Sequence, residues 1–217
     1  FSNKLSTKQA EEKFEKILSL TKSNSEEIFL FNKYKFQGGN LLEDLTVKSY
    51  PDFGVYIFKS KKLYLTVRCW SGTKAEITNH MHFDQLSIEL IIEGKKVASD
   101  PGTYIYEALP EKRFLFRSDK YHNGPKFRRE NISPFLDVFS PIKPLAFQSI
   151  YFGEKGFYCQ NNDFKSKLVY LLKLDSNQIS IFFSNKGDVL KGKGLDILQS
   201  PGYGIIHSNN PIKSRNS

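Results

Sequence analysis

The sequence predicts an all-β fold, an antiparallel β-sandwich with several sheets, preceded by a short N-terminal helical segment. Beyond residue 40 the chain consists of short stretches rich in Val, Ile, Phe, Tyr and Thr, separated by turn residues. Two stretches divide into hairpins, 54–70 around a Lys-Ser-Lys-Lys turn and 85–100 around Glu93-Gly94. With 217 residues, the chain is long enough for one domain with a sizeable core.

A single segment has convincing helical spacing. Ser6 and Gln9 form a capping box, and apolar residues recur at helical intervals through residues 7–22. Further strands are expected near 145–160, 166–174, 178–184 and 202–208. The predicted organisation is a helical tail or linker from a preceding domain over residues 1–45, and the β-sandwich domain over residues 46–217.

Charge and composition limit the function classes. A net charge of +9 favours an anionic partner: nucleic acid, an acidic polysaccharide or a membrane surface. No nucleic-acid-binding motif accompanies the charge, and no apolar run reaches the roughly 18 residues of a membrane span. Cys69 and Cys159 are either a disulfide or two buried thiols, and the sequence does not choose between them.

The stretch NHMHFDQLSIEL, residues 79–90, contains His80, His82 and Asp84 at every second position. In an extended strand these side chains would share one face, and imidazole and carboxylate are ligands that zinc accepts. A lone His-x-His is weak evidence, but Asp100 before a Pro-Gly turn and His122 after a basic aromatic segment add further donors. An ideal hairpin would keep Asp100 away from His82, so the donors meet only if the chain bends at Pro101-Gly102 or before the strand.

The motifs HMHFDQLS, VASDPGTY and RFLFRSDKYHN, within residues 50–123, resemble the C-terminal β-sandwich domain of the heparinase II/III-like polysaccharide lyases. The resemblance implies an (α/α) toroid before the sheets, of which the helix at 7–22 would be the end. It also implies a zinc ion, or another divalent metal, held by His82, Asp100 and His122. In the alginate-lyase branch of the family the first histidine faces the substrate, which assigns a catalytic role to His80.

The function implied by the resemblance is cleavage of a uronic-acid-containing polysaccharide, such as a glycosaminoglycan or alginate, by β-elimination. A group near the uronate carboxylate acidifies the C5 proton, a base removes that proton, and an acid protonates the departing O4. Arg117, Arg113 and Tyr106 are the expected substrate-binding residues. The family's base and acid lie on the toroid, so the parent protein is expected to be a lyase and this chain alone to be inactive.

Two features depart from this pattern or leave alternatives open. Gly124 stands where the family usually has Thr after His-Asn, and the chain begins without Met, so it is expected to be a piece of a longer polypeptide. Its expected location is the periplasm or the exterior of a bacterium. The alternative function is a non-catalytic protein that binds acidic glycans or takes part in surface-polysaccharide biosynthesis. The sequence does not identify the polysaccharide, the mode of cleavage or the oligomeric state.

Overall fold

The computed structural model describes residues 5–22, 28–71, 82–105, 108–119, 121–127, 146–161, 168–184, 189–190, 198–202 and 205–208. The elements follow one another along the chain as α1 (Thr7–Lys22), β1 (Ile28–Lys35), β2 (Thr46–Tyr50), β3 (Val55–Lys59), β4 (Leu63–Arg68), β5 (Ile88–Ile92), β6 (Lys95–Ala98), α2 (Pro110–Arg117), β7 (Lys126–Phe127), β8 (Gln148–Gly153), β9 (Gly156–Asn161), β10 (Leu168–Asp175), β11 (Gln178–Ser184), β12 (Val189–Leu190), β13 (Leu198–Gly202) and β14 (Ile205–Ser208).

Two five-stranded antiparallel sheets form the body of the molecule. We call the sheet with strand order β2-β3-β4-β5-β6 sheet I, and the sheet with order β1-β11-β10-β9-β8 sheet II. Two small two-stranded sheets, β7 with β12 and β13 with β14, accompany them. This architecture confirms the predicted antiparallel β-sandwich with several sheets, and both predicted hairpins form, as β3-β4 and β5-β6.

The main core lies between the two sheets. Strands β3, β4 and β5 alternate between buried and less buried residues, so every second side chain enters the core. From sheet I these include Phe58, Leu65 and Leu90, which pack in one cluster with Phe157 and Leu172 of sheet II. Cys69 and Cys159 lie buried in this cluster as free thiols.

Helix α1 covers the opposite face of sheet II. It spans the predicted residues, and its capping box is formed: Ser6 N–H donates to Gln9 Oε1 (2.9 Å) and Gln9 N–H donates to Ser6 Oγ (3.3 Å). Phe14 and Leu18 are buried against a second cluster that includes Tyr158. Sheet II is therefore an inner layer, covered by sheet I on one side and by α1 on the other.

The structure differs from the sequence prediction at two elements. Helix α2 was not predicted, and its buried residues, Arg113, Phe116 and Arg117, have the i, i+3, i+4 spacing of one helical face. Strand β1 forms an edge of sheet II within the segment assigned to a tail or linker, while the proposed boundary at residues 45 and 46 stays a prediction. Neither helix in the described part of the chain is long and apolar enough to cross a membrane.

Candidate functional site

Three connecting segments meet at one end of sheet I. They are the turn before β5, the segment after β6 and the loop after α2, and they contribute His82, Asp100 and His122, respectively. The rings of His82 and His122 lie 5.4 Å apart between centroids, and His122 Nδ1 lies 2.6 Å from Asp100 Oδ2. The three residues predicted as metal ligands are therefore neighbours in space.

The turn before β5 corrects the prediction that residues 80–90 form one alternating strand. The strand begins at Ile88, and the Ser87 N–H donates to the Asp84 carbonyl (3.0 Å) to close a turn. Leu86 has φ +63°, which is uncommon for a bulky side chain, and its N–H donates to the Arg68 carbonyl (2.7 Å). The chain thus bends before the strand. This is one of the two bends that the sequence analysis expected to be needed to bring the donors together.

Asp84 and Arg68 fasten this turn to sheet I. The Arg68 Nε donates to Asp84 Oδ2 at 3.2 Å. Burial raises the pKa of the Asp84 carboxyl, and the neighbouring Arg68 charge partly offsets that shift. Asp84 therefore pairs with Arg68 and ties the turn to the end of β4.

The segment after β6 bends as well. Glu89 Oε1 accepts hydrogen bonds from the Asp100 N–H (2.5 Å) and the Ser99 hydroxyl (3.3 Å), which ties this segment to β5. Asp100 Oδ1 accepts from the Gly102 N–H (2.9 Å), so the carboxylate stabilises the Pro-Gly turn that follows it. Its other oxygen is left for His122.

The loop after α2 is held by Asn123. Its Oδ1 accepts from the Ile88 N–H (2.7 Å), and its Nδ2 donates to the carbonyls of Ile88 (2.7 Å) and Ser99 (3.3 Å). The Asn123 amide thus forms hydrogen bonds with both β5 and the segment that follows β6. Because Asn123 follows His122 directly, these bonds fix the position of the His122 backbone.

Helix α2 supports the site from behind. The Arg117 carbonyl at its end accepts from the Phe83 N–H (2.8 Å), which holds the residue beside His82. Phe116 stacks with Tyr104 and packs against Tyr121, each with a ring-centroid separation of 5.0 Å. Tyr104, like Leu86, has φ +63°, so two bulky residues with left-handed backbone flank the site.

The electrostatics keep His82 neutral. Burial lowers its pKa from 6.5 to about 3, and the charges of His122, Arg113 and Arg117 act in the same direction. Burial acts to raise the pKa of Asp100, but the hydrogen bond and charge of His122 outweigh it, so the pKa lies below its usual value. The site thus combines a neutral imidazole with an ionised carboxylate.

The donor chemistry of these residues fits zinc, although they do not converge on one point. Within the described ranges, no group of three His, Cys, Asp or Glu side chains has the arrangement of a metal site. His122 is 2% exposed, and its Nε2 is buried without a hydrogen-bond partner among the described residues. A carboxylate that accepts from one ring nitrogen of a histidine is a common support for a metal bound at the other nitrogen. The residue set is therefore compatible with a metal.

The residues predicted to contact substrate are only partly described. His80 and Tyr106 lie outside the described residues. Arg113 and Arg117 are 1% and 0% exposed, so their guanidinium groups lie inside the protein near His82. Lys126 donates to the Asp119 and His122 carbonyls, and burial lowers its pKa.

Gly124, noted in the sequence as a departure from the usual threonine, has a steric reason here. A Cβ at this position would lie 2.6 Å from the Gln85 carbonyl oxygen and 3.0 Å from the Ser87 nitrogen. The glycine lets the His122 loop approach the turn before β5. In the sequence, the only signal for this close approach was the position of the glycine directly after His-Asn. The residues that Gly124 contacts lie about 40 positions earlier in the chain, so the sequence did not show the reason for the glycine.

Residues 43–130 match the family model described as "Heparinase II/III-like, C-terminal". Similar solved structures include a heparinase III (16% identity, TM-score 0.47, covering 61% of this chain) and heparan sulfate lyase HepC from Pedobacter heparinus (16%, 0.43, 58%). The chain spans 20% of the length of each. No curated protein matches.

Proposed function

We propose that this chain is the β-sandwich domain of a lyase that cleaves a uronic-acid-containing polysaccharide by β-elimination, because residues 43–130 match the family model described as "Heparinase II/III-like, C-terminal". The matched segment contains sheet I and all three predicted metal ligands. The residues before it, including α1, would follow the toroid that carries the proton-transfer groups. A bacterial periplasmic or secreted location is part of the same proposal.

One observation carries the proposal: His82, Asp100 and His122 come together from three separate segments at the end of sheet I. The 2.6 Å bond between His122 Nδ1 and Asp100 Oδ2 and the 5.4 Å separation of the two imidazole rings place them in one cluster. Among the described residues, His122 Nε2 is buried and has no hydrogen-bond partner. Leaving such a group unsatisfied costs about 1–3 kcal/mol, and a purely structural role for His122 gives no reason for that cost. A divalent metal would give that His122 nitrogen a partner.

In this proposal His82, His122 and Asp100 hold zinc or another divalent metal. Each oxygen of an ionised carboxylate has two lone pairs, so Asp100 can orient His122 and still serve as a ligand. Bound metal would supply a fixed positive charge that stiffens the three segments around it. The chain's own residues keep His82 neutral and anchor the loops that carry the three ligands.

The substrate side of the proposal involves His80, Arg113, Arg117 and Tyr106. Neutralising the uronate carboxylate acidifies the proton on C5; a base takes that proton, the C4–O4 bond breaks, and an acid protonates O4. His80 and Tyr106 are proposed to touch the sugar directly. Arg113 and Arg117 are buried, which supports a different role for them. In this role their positive charges act on the site electrostatically, and neither side chain contacts the sugar.

The activity test uses the longer polypeptide that contains this chain. With heparan sulfate and alginate as substrates, we expect ultraviolet absorbance from an unsaturated uronate product, and no such product from the 217-residue chain alone. The His122→Ala variant of the longer polypeptide should lose most of the activity, while Asn40→Ala, at an exposed turn, should retain it. Absence of unsaturated product from every uronate polymer contradicts the lyase proposal. Equal activity of the chain alone shows that the acid and base lie within it.

The second candidate is a non-catalytic domain that binds acidic glycans. The observation that favours it is the net charge of +9, which suits an anionic partner whether or not that partner is cleaved. A longer polypeptide that binds uronate polymers tightly and makes no unsaturated product would support this alternative.

A further inference from the structure

The outer face of sheet I is uncovered by any described element. Its inner face packs on sheet II, and the outer face of sheet II is covered by α1, so the two sheets differ in this respect. The strand registers assign the outward-facing residues of sheet I: Thr46, Lys48, Tyr50, Val55, Ile57, Lys59, Tyr64, Thr66, Arg68, Glu89, Ile91 and Lys96.

This outer face carries an excess of positive charge. Lys48, Lys59 and Lys96 are exposed, and none of them forms an ion pair with a described acidic residue. Glu89 is the single acidic residue in the set, and it already accepts hydrogen bonds from Ser99 and Asp100. The charge of the face therefore complements an anionic partner.

Aromatic rings lie among these lysines. Tyr50 and Tyr64 are 41% and 39% exposed, and Lys48 Nζ lies 5.2 Å from the centre of the Tyr50 ring. Tyr64 sits in a cross-strand row between Lys59 and Ile91, and Lys96 follows at the end of that row. Three strand spacings separate the two lysines, about 14 Å. A flat face of this kind offers rings for the apolar sides of sugars and ammonium groups for their carboxylates.

The face leads to the candidate site. From the row of Lys59 and Tyr64, the next row toward the site contains Glu89, whose carboxylate holds the Asp100 N–H. The row after that contains Arg68, which is paired with Asp84 in the turn beside His82. A polymer bound over the row of Lys59 and Tyr64 would therefore lie two residue rows from the end of sheet I where His82, Asp100 and His122 meet.

We propose that the outer face of sheet I binds an acidic polysaccharide, a polyuronate chain that lies across Tyr50 and Tyr64 and is held by Lys48, Lys59 and Lys96. The inference deepens the proposed function, on which its choice of polymer rests. In this inference the surface binds the part of the polysaccharide that extends beyond the bond being cleaved.

The test measures binding of a fluorescein-labelled alginate oligosaccharide to the chain by fluorescence anisotropy, with labelled dextran as the neutral control. Removing two charges with Lys59→Gln and Lys96→Gln should weaken binding about 5- to 10-fold. Tyr64→Ser should weaken it about 3-fold while leaving the dependence on salt unchanged, because no charge is lost.

A matched double variant controls for net charge. Lys8→Gln with Lys13→Gln removes the same charge from exposed positions on α1, at the far side of sheet II, and should change the affinity less than about 2-fold. Equal weakening by the two double variants overturns the assignment of this face. So does a Lys59→Gln and Lys96→Gln variant of the longer polypeptide that binds like its parent, because the face would then be covered by another part of that protein.

The outcomes separate the two proposals. If the chain binds neither labelled alginate nor labelled heparan sulfate better than dextran, the substrate class is wrong and the proposed function loses its support. If alginate is preferred but both double variants weaken binding equally, the proposed function stands and the proposal for the outer face of sheet I fails.

Discussion

Sheets I and II each have five strands but differ in how they are buried. Sheet II is covered on both faces, and β10 is buried at six of its eight residues. Sheet I is covered on one face, and its strands β3 to β5 alternate between buried and less buried residues. The candidate site and the residues that match the family model both belong to sheet I and the segments at its end. In the proposed function, sheet II supports the fold and sheet I holds the candidate site at its end.

The largest expected effect tests the supporting role of sheet II. Phe157 is fully buried and packs against Tyr56 across the sandwich, with ring centroids 4.7 Å apart. Phe157→Ala should lower the free energy of unfolding by about 3–5 kcal/mol. Tyr64→Ala, on the outer face of sheet I, should change it by less than about 1 kcal/mol. Urea denaturation of both variants measures the difference, and equal losses would remove the distinction between the sheets.

The next prediction concerns the polar connections of sheet I. Asn123→Ala removes three hydrogen bonds that join the His122 loop to Ile88 and Ser99. The free energy of unfolding should fall by about 2–3 kcal/mol, because backbone groups next to the core lose their partners. Asn40→Ala, which removes one bond to the exposed Leu42 turn, is the control and should cost less than about 1 kcal/mol. A loss no larger than that of the control would show that Asn123 does not hold the loop.

Two glycines sharpen the comparison within sheet I itself. In Gly124→Ala the new Cβ meets the backbone of the turn before β5, and the variant should lose about 2 kcal/mol and bind metal more weakly. Gly94→Ala lies in the β5-β6 turn at φ +76° with open space around it, and should lose about 1 kcal/mol without any change in metal affinity. Unchanged metal affinity in the first variant would contradict the close approach described here.

The smallest effect is a pH dependence. His82 has a pKa of about 3 in the folded protein against 6.5 ordinarily, so between these values the unfolded chain binds more protons. Stability is therefore complete above the unfolded pKa and falls as the pH falls. In chelator-treated protein, lowering the pH from about 7 to about 5 should cost the parent roughly 1–2 kcal/mol more than His82→Asn. Identical pH profiles of the two proteins, measured by urea denaturation, would show that His82 is not buried as a neutral ring.

The sequence predicted the elements whose signals are local. The capping box of Ser6 and Gln9 defined α1, and the Glu93-Gly94 turn, where both residues have positive φ, defined the β5-β6 hairpin. Helix α2 was missed because two of its three buried residues are Arg113 and Arg117, which do not form an apolar periodic pattern. Its buried face depends on contacts that the sequence pattern does not show.

The sequence predicted which residues form the candidate site better than it predicted their geometry. The family resemblance indicated His82, Asp100 and His122, and the structure brings them together. The strand alternation that first drew attention to His82 was wrong, since Leu86 adopts a positive φ in a turn bonded to Arg68. The Asn123 bonds to Ile88 reach 35 residues back, a distance over which no local pattern predicts a partner.

Metal content tests the proposed centre most directly. The chain purified without chelator should contain about one equivalent of zinc or another divalent ion, and His82→Ala should contain less than about one tenth and melt at a lower temperature. The parallel variant Asn40→Ala should retain the metal. Less than about one tenth of an equivalent in the parent, together with a His82→Ala variant that melts like it, would contradict the metal site.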